Sequence, residues 1–536
     1  MWTVCLSLLF GRIAAYNLGN YRPVTNDEVE LMSVAYKLAT QGIPGSDLFV
    51  GFYGADQHYL FTLPLQHLLE AISFRMFGVG VAEARWVSLM AGVSIVWVAG
   101  WLAFRWYGLA TAVACELLLV AWPSDLTGAP NGLPLFAVAR VARYDVLAMA
   151  FTWFAIAGLE VGLRRPGGVG AFALGMGCGF AALTTLTGAF VLPLVVLVWL
   201  GARRRAAFED RTIYWLMAGA GLVLLMWAVY AVRYQGDLAG QMAVYGGRWN
   251  AVRPAFYLAN ALSEPSRYGN LLRDALEPGS STSAAGSWLL VVGVWPALAF
   301  IARRSVRVGA TGDRIVLASV VVFAALLALL DQTKTPLYAS ILVPSLCLVM
   351  AAAWMGLLRW VRMPGQPVWA SLASGTLSLV LGILIGLDAE HAYQLSLTQA
   401  SQAGQYLDVG REIGSSLRPG ARVLGPERWW WALHEHPYVS VRNLLFQWTA
   451  AAQSNGAGAP AEFADRVAWA EADSVIVNDN VRGDLLDFPV AVQHQFWTFI
   501  DTCTRQVGYV NDPTYLEIEV YEITPAPRPQ ACGTSH

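Results

Sequence analysis

The chain has 536 residues, of which 56% are hydrophobic and only 13% are charged, with 22 tryptophans and a net charge of −2. Soluble proteins carry about a quarter charged residues, so this composition indicates a protein that has lipid as its solvent. The near-neutral charge leaves no basic stripe to neutralise a phosphate backbone, which argues against a nucleic-acid partner.

Eleven segments are apolar enough to cross a membrane as helices, which need about 20 largely apolar residues with internally bonded backbones. We predict them at 1–18, 82–104, 108–123, 146–163, 169–186, 188–201, 213–232, 287–302, 314–331, 336–358 and 368–388. The first segment could also be a signal peptide, but it lacks a basic start and a clear small-residue cleavage site, which favours a retained helix. The fold class is therefore predicted to be an α-helical polytopic membrane protein.

Arginines cluster in alternate connections between these spans. The positive-inside rule assigns the arginine-rich connections to the cytoplasm. They carry Arg105, Arg164, Arg165, Arg203, Arg204, Arg205, Arg211, Arg303, Arg304, Arg307, Arg359 and Arg362. The other connections, and everything after residue 389, are then predicted to lie on the outer side.

Residues 60–77 are interpreted differently, because counting them as another span would break this alternation. We expect a juxtamembrane helix that lies at, or dips into, the outer interface. Its apolar face would comprise Phe61, Leu65, Leu68, Leu69 and Ile72.

The chain changes character towards its end, and we predict a transmembrane domain at 1–392 and a second domain at 393–536. The second part opens with a helical segment at 406–417, followed by a Pro-Gly turn and short β-branched runs at 422–424, 474–477 and 516–521. Helices that alternate with strands predict a small C-terminal α/β domain. Cys503 and Cys532 fall in it, and the sequence leaves open whether they form a disulfide in an oxidising compartment.

Two adjacent carboxylates, Asp27 and Glu28, stand just outside the first span. One interpretation is structural. Thr25 or Asn26 caps a surface helix, and the two acidic side chains lie favourably at its positive end.

The loop that holds Asp27 and Glu28 also has a functional interpretation. Asp27 offers a general base, and Tyr53 and Tyr59 offer aromatic walls that would bind a sugar or a similar polar substrate. Glu28 and His58 offer ligands for a metal ion.

The second outer loop ends in Arg140-Val141-Ala142-Arg143-Tyr144-Asp145, directly before a span. Arginines on the outer side run against the positive-inside trend. One interpretation is a pair of interfacial side chains whose charged ends reach the headgroups. The alternative is a guanidinium held for an anion, with Asp145 orienting it or binding a cation. Asp145 is therefore a candidate substrate-binding residue.

Lys334 and Tyr338 lie in a short outer connection between two spans. Lys37 and Lys334 are the only lysines among 35 basic residues. Interfacial anchoring explains a lysine and a tyrosine here, but arginine would anchor equally well in this chain. We therefore favour a specific role for Lys334 in binding a lipid-linked phosphate.

In this order, the features resemble those of the C-type glycosyltransferases, especially bacterial relatives of protein O-mannosyltransferases and of the lipid A aminoarabinose transferase. One departure is Thr184-Thr185, where relatives often place a lysine. The likeness covers about residues 10–360 and includes Asp27-Glu28, the stretch Leu60–Arg85 with Phe77-Gly78 and Ala84-Arg85, Arg143-Tyr144-Asp145, Gly179-Phe180-Ala181-Ala182-Leu183-Thr184 with Gly188, and Lys334 and Tyr338 before Leu342-Val343-Pro344.

The resemblance implies a bacterial inner-membrane enzyme with an extracytoplasmic C-terminal domain. It implies transfer of a sugar from a polyprenyl-phosphate donor in the membrane lipid to an acceptor protein, glycan or lipid, with inversion. Asp27 would be the catalytic base, and Glu28 would orient it or help to hold a metal. Arg143, Lys334 and Tyr338 would bind the donor phosphate. No cofactor is certain, and a divalent metal ion stays open.

Two other function classes remain open. A lipid or polysaccharide transporter is disfavoured, because the spans show no clear inverted repeat and few midplane charges. A catalytically silent structural subunit that binds a partner complex would also use the tryptophans and the large outer part. The presence of Asp27, Arg143 and Lys334 argues against it.

Overall fold

The computed structural model of the chain describes residues 2–121, 135–165, 167–203, 211–243, 253–276, 283–361, 368–454, 467, 470–486 and 488–524. Within 270–292, 370–399 and 448–454 it describes some helical residues by their backbone alone. Cys532 lies outside these ranges, so the disulfide considered above falls outside the described residues.

The first four hundred residues form helices joined by connections that include three 3₁₀ turns, Asp47–Phe49, Gly188–Phe190 and Pro336–Leu342. The helices are α1 (Trp2–Ala15), α2 (Asn26–Gln41), α3 (Leu65–Phe77), α4 (Val81–Tyr107), α5 (Leu109–Val120), α6 (Leu135–Val138), α7 (Tyr144–Arg164), α8 (Gly168–Ala182), α9 (Val191–Arg203), α10 (Thr212–Arg233), α11 (Gln235–Ala243), α12 (Pro254–Leu276), α13 (Ser283–Val308), α14 (Thr311–Leu330), α15 (Val343–Val361) and α16 (Val368–Gln402).

Each predicted span coincides with one of these helices. Five of the described segments are both long and apolar enough to cross a membrane, namely Val81–Tyr107, Tyr144–Arg164, Thr212–Arg233, Thr311–Leu330 and Pro336–Val361. Others, such as α1, α5 and α8, are apolar but shorter. The chain is thus a multi-pass helical membrane protein, and the total of eleven crossings stays a prediction.

The bundle has two chemically different ends. Helix α4 has 27 residues, and at 1.5 Å per residue it extends about 40 Å, close to the thickness of a bilayer with its headgroups. Near its start Arg85 pairs with Glu28 of α2, whereas near its end Arg105 lies 3.9 Å from Glu160 of α7. Arg164 pairs with the same Glu160. Arginines predicted to share the cytoplasmic side therefore meet at one end, and α2 lies at the other.

Glycines allow α8 and α10 to approach each other closely. A Cβ at Gly175 of α8 would lie 2.0 Å from the Leu216 carbonyl oxygen, and one at Gly219 of α10 would lie 2.1 Å from that of Phe172. Any larger residue would push the helices apart. Small residues promote helix association in lipid, where burial of apolar surface adds little.

Helix α3 is amphipathic in the reverse sense to a helix of a soluble protein. Its buried face contains polar residues such as Gln66, His67 and Glu70, whereas its exposed face carries Leu68 and Ile72. Apolar side chains on the outside are stable when lipid is the neighbour. The predicted juxtamembrane helix is confirmed as a helix, and its exposed apolar side chains suit the membrane interface.

The C-terminal part is an α/β unit. Its elements are α17 (Tyr406–Ser415), β1 (Val423–Gly425), the 3₁₀ turn Glu427–Trp429, β2 (Tyr438–Ser440), α18 (Val441–Ser454), β3 (Ser474–Asn478), α19 (Asp479–Leu486), α20 (Val490–Cys503), β4 (Thr504–Asp512) and β5 (Leu516–Ile523). The strands form a five-stranded sheet of order β2-β1-β3-β5-β4. Strand β1 runs parallel to β2 and β3, and β5 runs antiparallel to β3 and β4. The predicted domain division at 392 falls inside α16, which continues to Gln402.

This C-terminal unit rests directly on α2. The Asn26 side chain accepts a hydrogen bond from the backbone N–H of Arg428 at 3.1 Å, and the ring of Tyr36 packs edge-on against Trp430 with centroids 5.7 Å apart. The buried hydroxyl of Tyr515 accepts a hydrogen bond from the backbone just before α2. The helix that begins with the two adjacent carboxylates therefore lies between the membrane bundle and the C-terminal unit.

Candidate active site

A capping box fixes the start of α2. The Thr25 hydroxyl accepts a hydrogen bond from the backbone N–H of Glu28 at 3.3 Å, and the Glu28 carboxylate accepts one from the N–H of Thr25 at 3.3 Å. Thr25 is thus the N-cap that the structural interpretation of the sequence proposed. Asp27 and Glu30, three residues apart, share a face of the helix.

The Glu28 carboxylate is completely buried and holds neighbouring segments together. It forms a two-point ion pair with Arg85, both distances 2.8 Å, and accepts a hydrogen bond from the backbone N–H of Ala142 at 2.7 Å. Arg85 also donates to the Leu18 carbonyl at 2.8 Å. Glu28 thereby joins α2 to α4 and to the segment before α7. This geometry gives it a structural role, and it does not place Glu28 where the predicted orienting or metal-binding role would need it.

Asp27 is half-exposed and faces the N-terminal end of α7. Its Oδ2 lies 2.8 Å from Nη1 of Arg143, and Nε of Arg143 lies 3.1 Å from Oδ2 of the buried Asp145. Burial alone would lower the pKa of Arg143, but the carboxylates of Asp145 and Asp27 raise it above its ordinary value. The three predicted residues therefore come together around a permanently charged guanidinium, whose orientation Asp145 fixes.

Glu30 is a second carboxylate beside Asp27. The hydroxyl of Tyr59 donates a hydrogen bond to its Oε1. The structure thus places this predicted substrate-binding tyrosine as a hydrogen-bond partner of Glu30. Burial raises the pKa of Glu30 to about 7, although the Tyr59 hydrogen bond and the charge of Arg442 oppose the rise. Arg442 belongs to the first turn of α18, in the C-terminal unit, and pairs with Asp484 at 2.9 Å.

Asp27, Glu30, Arg143 and Arg442 line a cavity of about 420 Å³. A volume of this order is typical of small-molecule sites. The wall combines carboxylates, guanidinium groups, hydroxyl groups and aromatic rings, which suits a substrate with several hydroxyl groups and a phosphate. The lining residues are Asp27, Glu30, Leu31, Phe61, Thr62, Leu63, Arg143, Tyr144, Thr184, Thr185, Leu186, Thr187, Phe190, Met242, Leu330, Asp331, Gln332, Thr333, Tyr338 and Arg442.

Lys334 does not line this cavity, although its loop neighbours do. Its buried ammonium donates to Oε2 of Glu264 at 2.9 Å and to the Ala328 carbonyl at 3.0 Å. Arg267 binds the same Glu264, and it binds Asp331 at 2.8 Å. Since Asp331 belongs to the cavity wall, this buried cluster holds the wall in place. Tyr338, by contrast, lines the cavity as the phosphate prediction requires.

Tyr53 and His58 lie to one side of the cavity, against α11. Nδ1 of His58 lies 3.2 Å from Oδ2 of Asp237, and the Tyr53 ring packs over Gly240. The cavity lining includes neither side chain. Across the described ranges, no group of three or more His, Cys, Asp or Glu side chains is arranged to hold a metal ion. Glu28 and His58 have separate partners, so these two residues do not fit the metal site considered above.

Sequence reasoning assigned no role to three charged members of the cavity, Glu30, Asp331 and Arg442. The position of Glu30 could have been predicted, because it follows Asp27 at the spacing that places two side chains on one face of a helix. No sequence pattern predicts Arg442, because it belongs to a distant segment that only the docking of the C-terminal unit brings to the cavity.

No protein-family model and no curated protein matches the chain. Several solved structures match it in fold. The crystal structure of ArnT from Cupriavidus metallidurans bound to undecaprenyl phosphate matches with a TM-score of 0.61 at 15% identity, over 98% of this chain and 98% of that one. The chain has the fold of the C-type glycosyltransferases.

A second structure with this fold is the archaeal oligosaccharyltransferase AglB from Archaeoglobus fulgidus, in complex with an inhibitory peptide and a dolichol-phosphate. It matches with a TM-score of 0.58 at 12% identity, over 99% of this chain and 75% of that one. The structural resemblance predicted from the ordered motifs is thereby confirmed for the fold.

Proposed function

We propose that the protein is a membrane glycosyltransferase that moves a sugar from a polyprenyl-phosphate donor to an acceptor hydroxyl, with inversion at the anomeric carbon. The observation that carries the proposal is the Asp27–Arg143 pair in the cavity, within a chain of this fold. The structures of ArnT and AglB hold undecaprenyl phosphate and dolichol-phosphate. A lipid-linked phosphate is accordingly the expected ligand here.

Asp27 is the proposed general base. The acceptor O–H bond breaks as its proton moves to the Asp27 carboxylate, and the oxygen attacks the anomeric carbon on the face opposite the phosphate. The bond between that carbon and the phosphate oxygen breaks, and its electron pair stays on the phosphate. Inverting transfer requires one base and no carboxylate nucleophile.

Arg143 is the proposed phosphate ligand, with Tyr338 as a hydroxyl donor on the same wall. Negative charge grows on the phosphate as it leaves, and a preoriented guanidinium stabilises that charge in the transition state. The ion pair with Asp145 fixes the orientation of the Arg143 guanidinium. When the phosphate binds Arg143, it competes with Asp27 for the guanidinium, so donor binding releases the base. Lys334 acts in this scheme by holding the loop that contains Asp331.

The position of the cavity suits a lipid-linked donor. It lies at the end of the bundle opposite the arginine-rich end, and Phe61, Thr62 and Leu63, just before α3, form part of its wall. There the phosphate of a polyprenyl lipid meets water while its chain stays in the bilayer. We propose the bacterial inner membrane as the location, with the C-terminal unit on the extracytoplasmic side as a cover over the site.

The test uses the full chain purified into lipid nanodiscs. It would be supplied with undecaprenyl-phosphate esters of several hexoses and pentoses, together with a mixed panel of hydroxyl acceptors. The expected result is release of undecaprenyl phosphate coupled to a product whose anomeric configuration is inverted. Absence of binding and turnover with every lipid-linked sugar, in protein that unfolds cooperatively, would overturn the proposal.

A further inference from the structure

The cavity has two differently charged sides. On the side of α7, Arg143 pairs with both Asp27 and Asp145. On the side of the C-terminal unit, Arg442 and Glu30 line the same cavity. The first side is occupied by the lipid phosphate in the proposed function, so the second side is open to the acceptor.

Carboxylates outnumber cations in the cavity lining, which has Asp27, Glu30 and Asp331 against Arg143 and Arg442. Arg442 is also paired with Asp484 at 2.9 Å. Once the lipid phosphate of the proposed function binds Arg143, an anionic acceptor would meet net repulsion, because like charges repel strongly where water is partly excluded. A neutral acceptor meets none.

The polar groups on this side match the hydroxyl groups of a sugar. Asp27 and Glu30 are hydrogen-bond acceptors one helical turn apart, and Arg442 is a donor. Threonine hydroxyls, which both donate and accept, also line the cavity, Thr185 and Thr187 among them. A serine side chain presents one hydroxyl to such a surface, whereas a carbohydrate presents several adjacent ones.

We propose that Glu30 and Arg442 form the acceptor subsite and that this subsite takes a neutral carbohydrate. One hydroxyl of the acceptor donates its hydrogen bond to Glu30 and a neighbouring oxygen accepts one from Arg442, which leaves the reacting hydroxyl at Asp27. This inference rests on the proposed transferase function and adds the class of acceptor. It also gives the C-terminal unit a direct part in substrate binding.

The acceptor assay compares three probes with one lipid-linked donor that the wild type uses. They are a neutral trisaccharide panel, the same trisaccharides carrying one phosphate, and a serine-containing hexapeptide. The neutral trisaccharides should have the lowest KM. Preference for the phosphorylated sugars or for the peptide would overturn the inference, whereas absence of any donor turnover would overturn the transferase proposal instead.

Glu30→Gln and Arg442→Gln should each raise the acceptor KM about 10- to 100-fold, the size expected for losing a hydrogen bond to a charged group. The donor KM should stay unchanged. Arg482→Gln is the matched control, because Arg482 also belongs to the C-terminal unit and pairs with Glu519 at 2.7 Å, away from the cavity. An unchanged acceptor KM in both cavity variants would contradict the subsite.

The pH dependence separates binding by Glu30 from a purely structural role. The acceptor KM should rise as the pH falls through about 7, where Glu30 becomes protonated. Tyr59 and Arg442 lower this pKa, and Asp27 and Glu427 raise it. Tyr59→Phe removes a hydrogen bond from the ionised form, so the rise should move to higher pH. Glu30→Gln should make the acceptor KM independent of pH in this range. A Tyr59→Phe profile that matches the wild type would overturn the assignment.

Discussion

Asp27 and Glu28 are neighbours in the chain and carry the same chemical group, yet they meet opposite surroundings. Glu28 is buried and matched on both oxygens by Arg85 and by backbone donors. Asp27 is half-exposed and shares Arg143 with Asp145 at the edge of a cavity. The first arrangement joins helices, and the second leaves the proposed base and its cation at the edge of a cavity. The two carboxylates differ in how deeply they are buried and in how many hydrogen-bond partners they have. These differences, more than residue type, distinguish the structural carboxylate from the proposed catalytic one.

The largest expected effect is on turnover in Asp27→Asn. Loss of a general base reduces kcat by about 10²- to 10⁴-fold. Thermal stability should hardly change, because a half-exposed ion pair contributes about 0–1 kcal/mol to the free energy of unfolding. Single-turnover transfer and thermal unfolding, measured in the same nanodiscs, check both statements. Asp56→Asn in the same outer loop is the matched control and should keep the wild-type rate.

Glu28→Gln should show the opposite pattern. Removing one partner of a buried ion pair leaves Arg85 uncompensated, which costs about 3–5 kcal/mol of unfolding free energy. Thermal unfolding and yield of folded protein measure this loss. The double variant Glu28→Met with Arg85→Met should recover part of it. A Glu28→Gln protein of normal stability that has lost only kcat would return Glu28 to the catalytic role predicted from the sequence.

Arg143→Gln should lower kcat/KM for the lipid-linked donor about 10- to 100-fold, the range for a charge-assisted hydrogen bond. Arg143→Lys should recover only part of this, since an ammonium lacks the planar fork that matches a phosphate. Donor titration at saturating acceptor gives the values. Equal donor kinetics in Arg143→Gln and the wild type would remove Arg143 from the phosphate site.

The smallest expected effect on donor binding is in Lys334→Met. Lys334 and Lys37 are both buried ammonium groups with a carboxylate partner and a carbonyl partner. Losing such contacts costs about 1–3 kcal/mol of stability, and donor affinity should fall less than in Arg143→Gln. Lys37→Met is the matched control. The phosphate contact predicted from the sequence requires instead that Lys334→Met weakens donor binding as much as Arg143→Gln does.

Much of the architecture was predictable from the sequence, because a membrane demands long apolar helices and sorts arginines to one side. The juxtamembrane helix at Leu65–Phe77 and the α/β character of the C-terminal part followed from periodicity and β-branched runs. Strands β2 and β4 were not foreseen. Strand β2 is as short as β1 but, unlike β1, does not follow a Pro-Gly turn, and β4 mixes polar and glycine positions.

The site was predictable only in part. Asp27, Arg143 and Tyr338 line one cavity, as the ordered motifs suggested, and Asp145 pairs with Arg143 behind it. Lys334 instead pairs with Glu264 in a neighbouring ion cluster. The reason is that a sequence motif fixes the order of residues and not the direction of their side chains. Arg442 enters the cavity from a segment more than four hundred positions away from Asp27, through tertiary docking that no local pattern encodes.

The most direct test of the account is a structure of the protein with undecaprenyl phosphate bound. We predict the phosphate group in the cavity, with an oxygen at hydrogen-bonding distance from Arg143 and with the Asp27 carboxylate released from its ion pair. A phosphate bound only at the Lys334–Glu264 cluster, or at the arginine-rich end of the bundle, would contradict it.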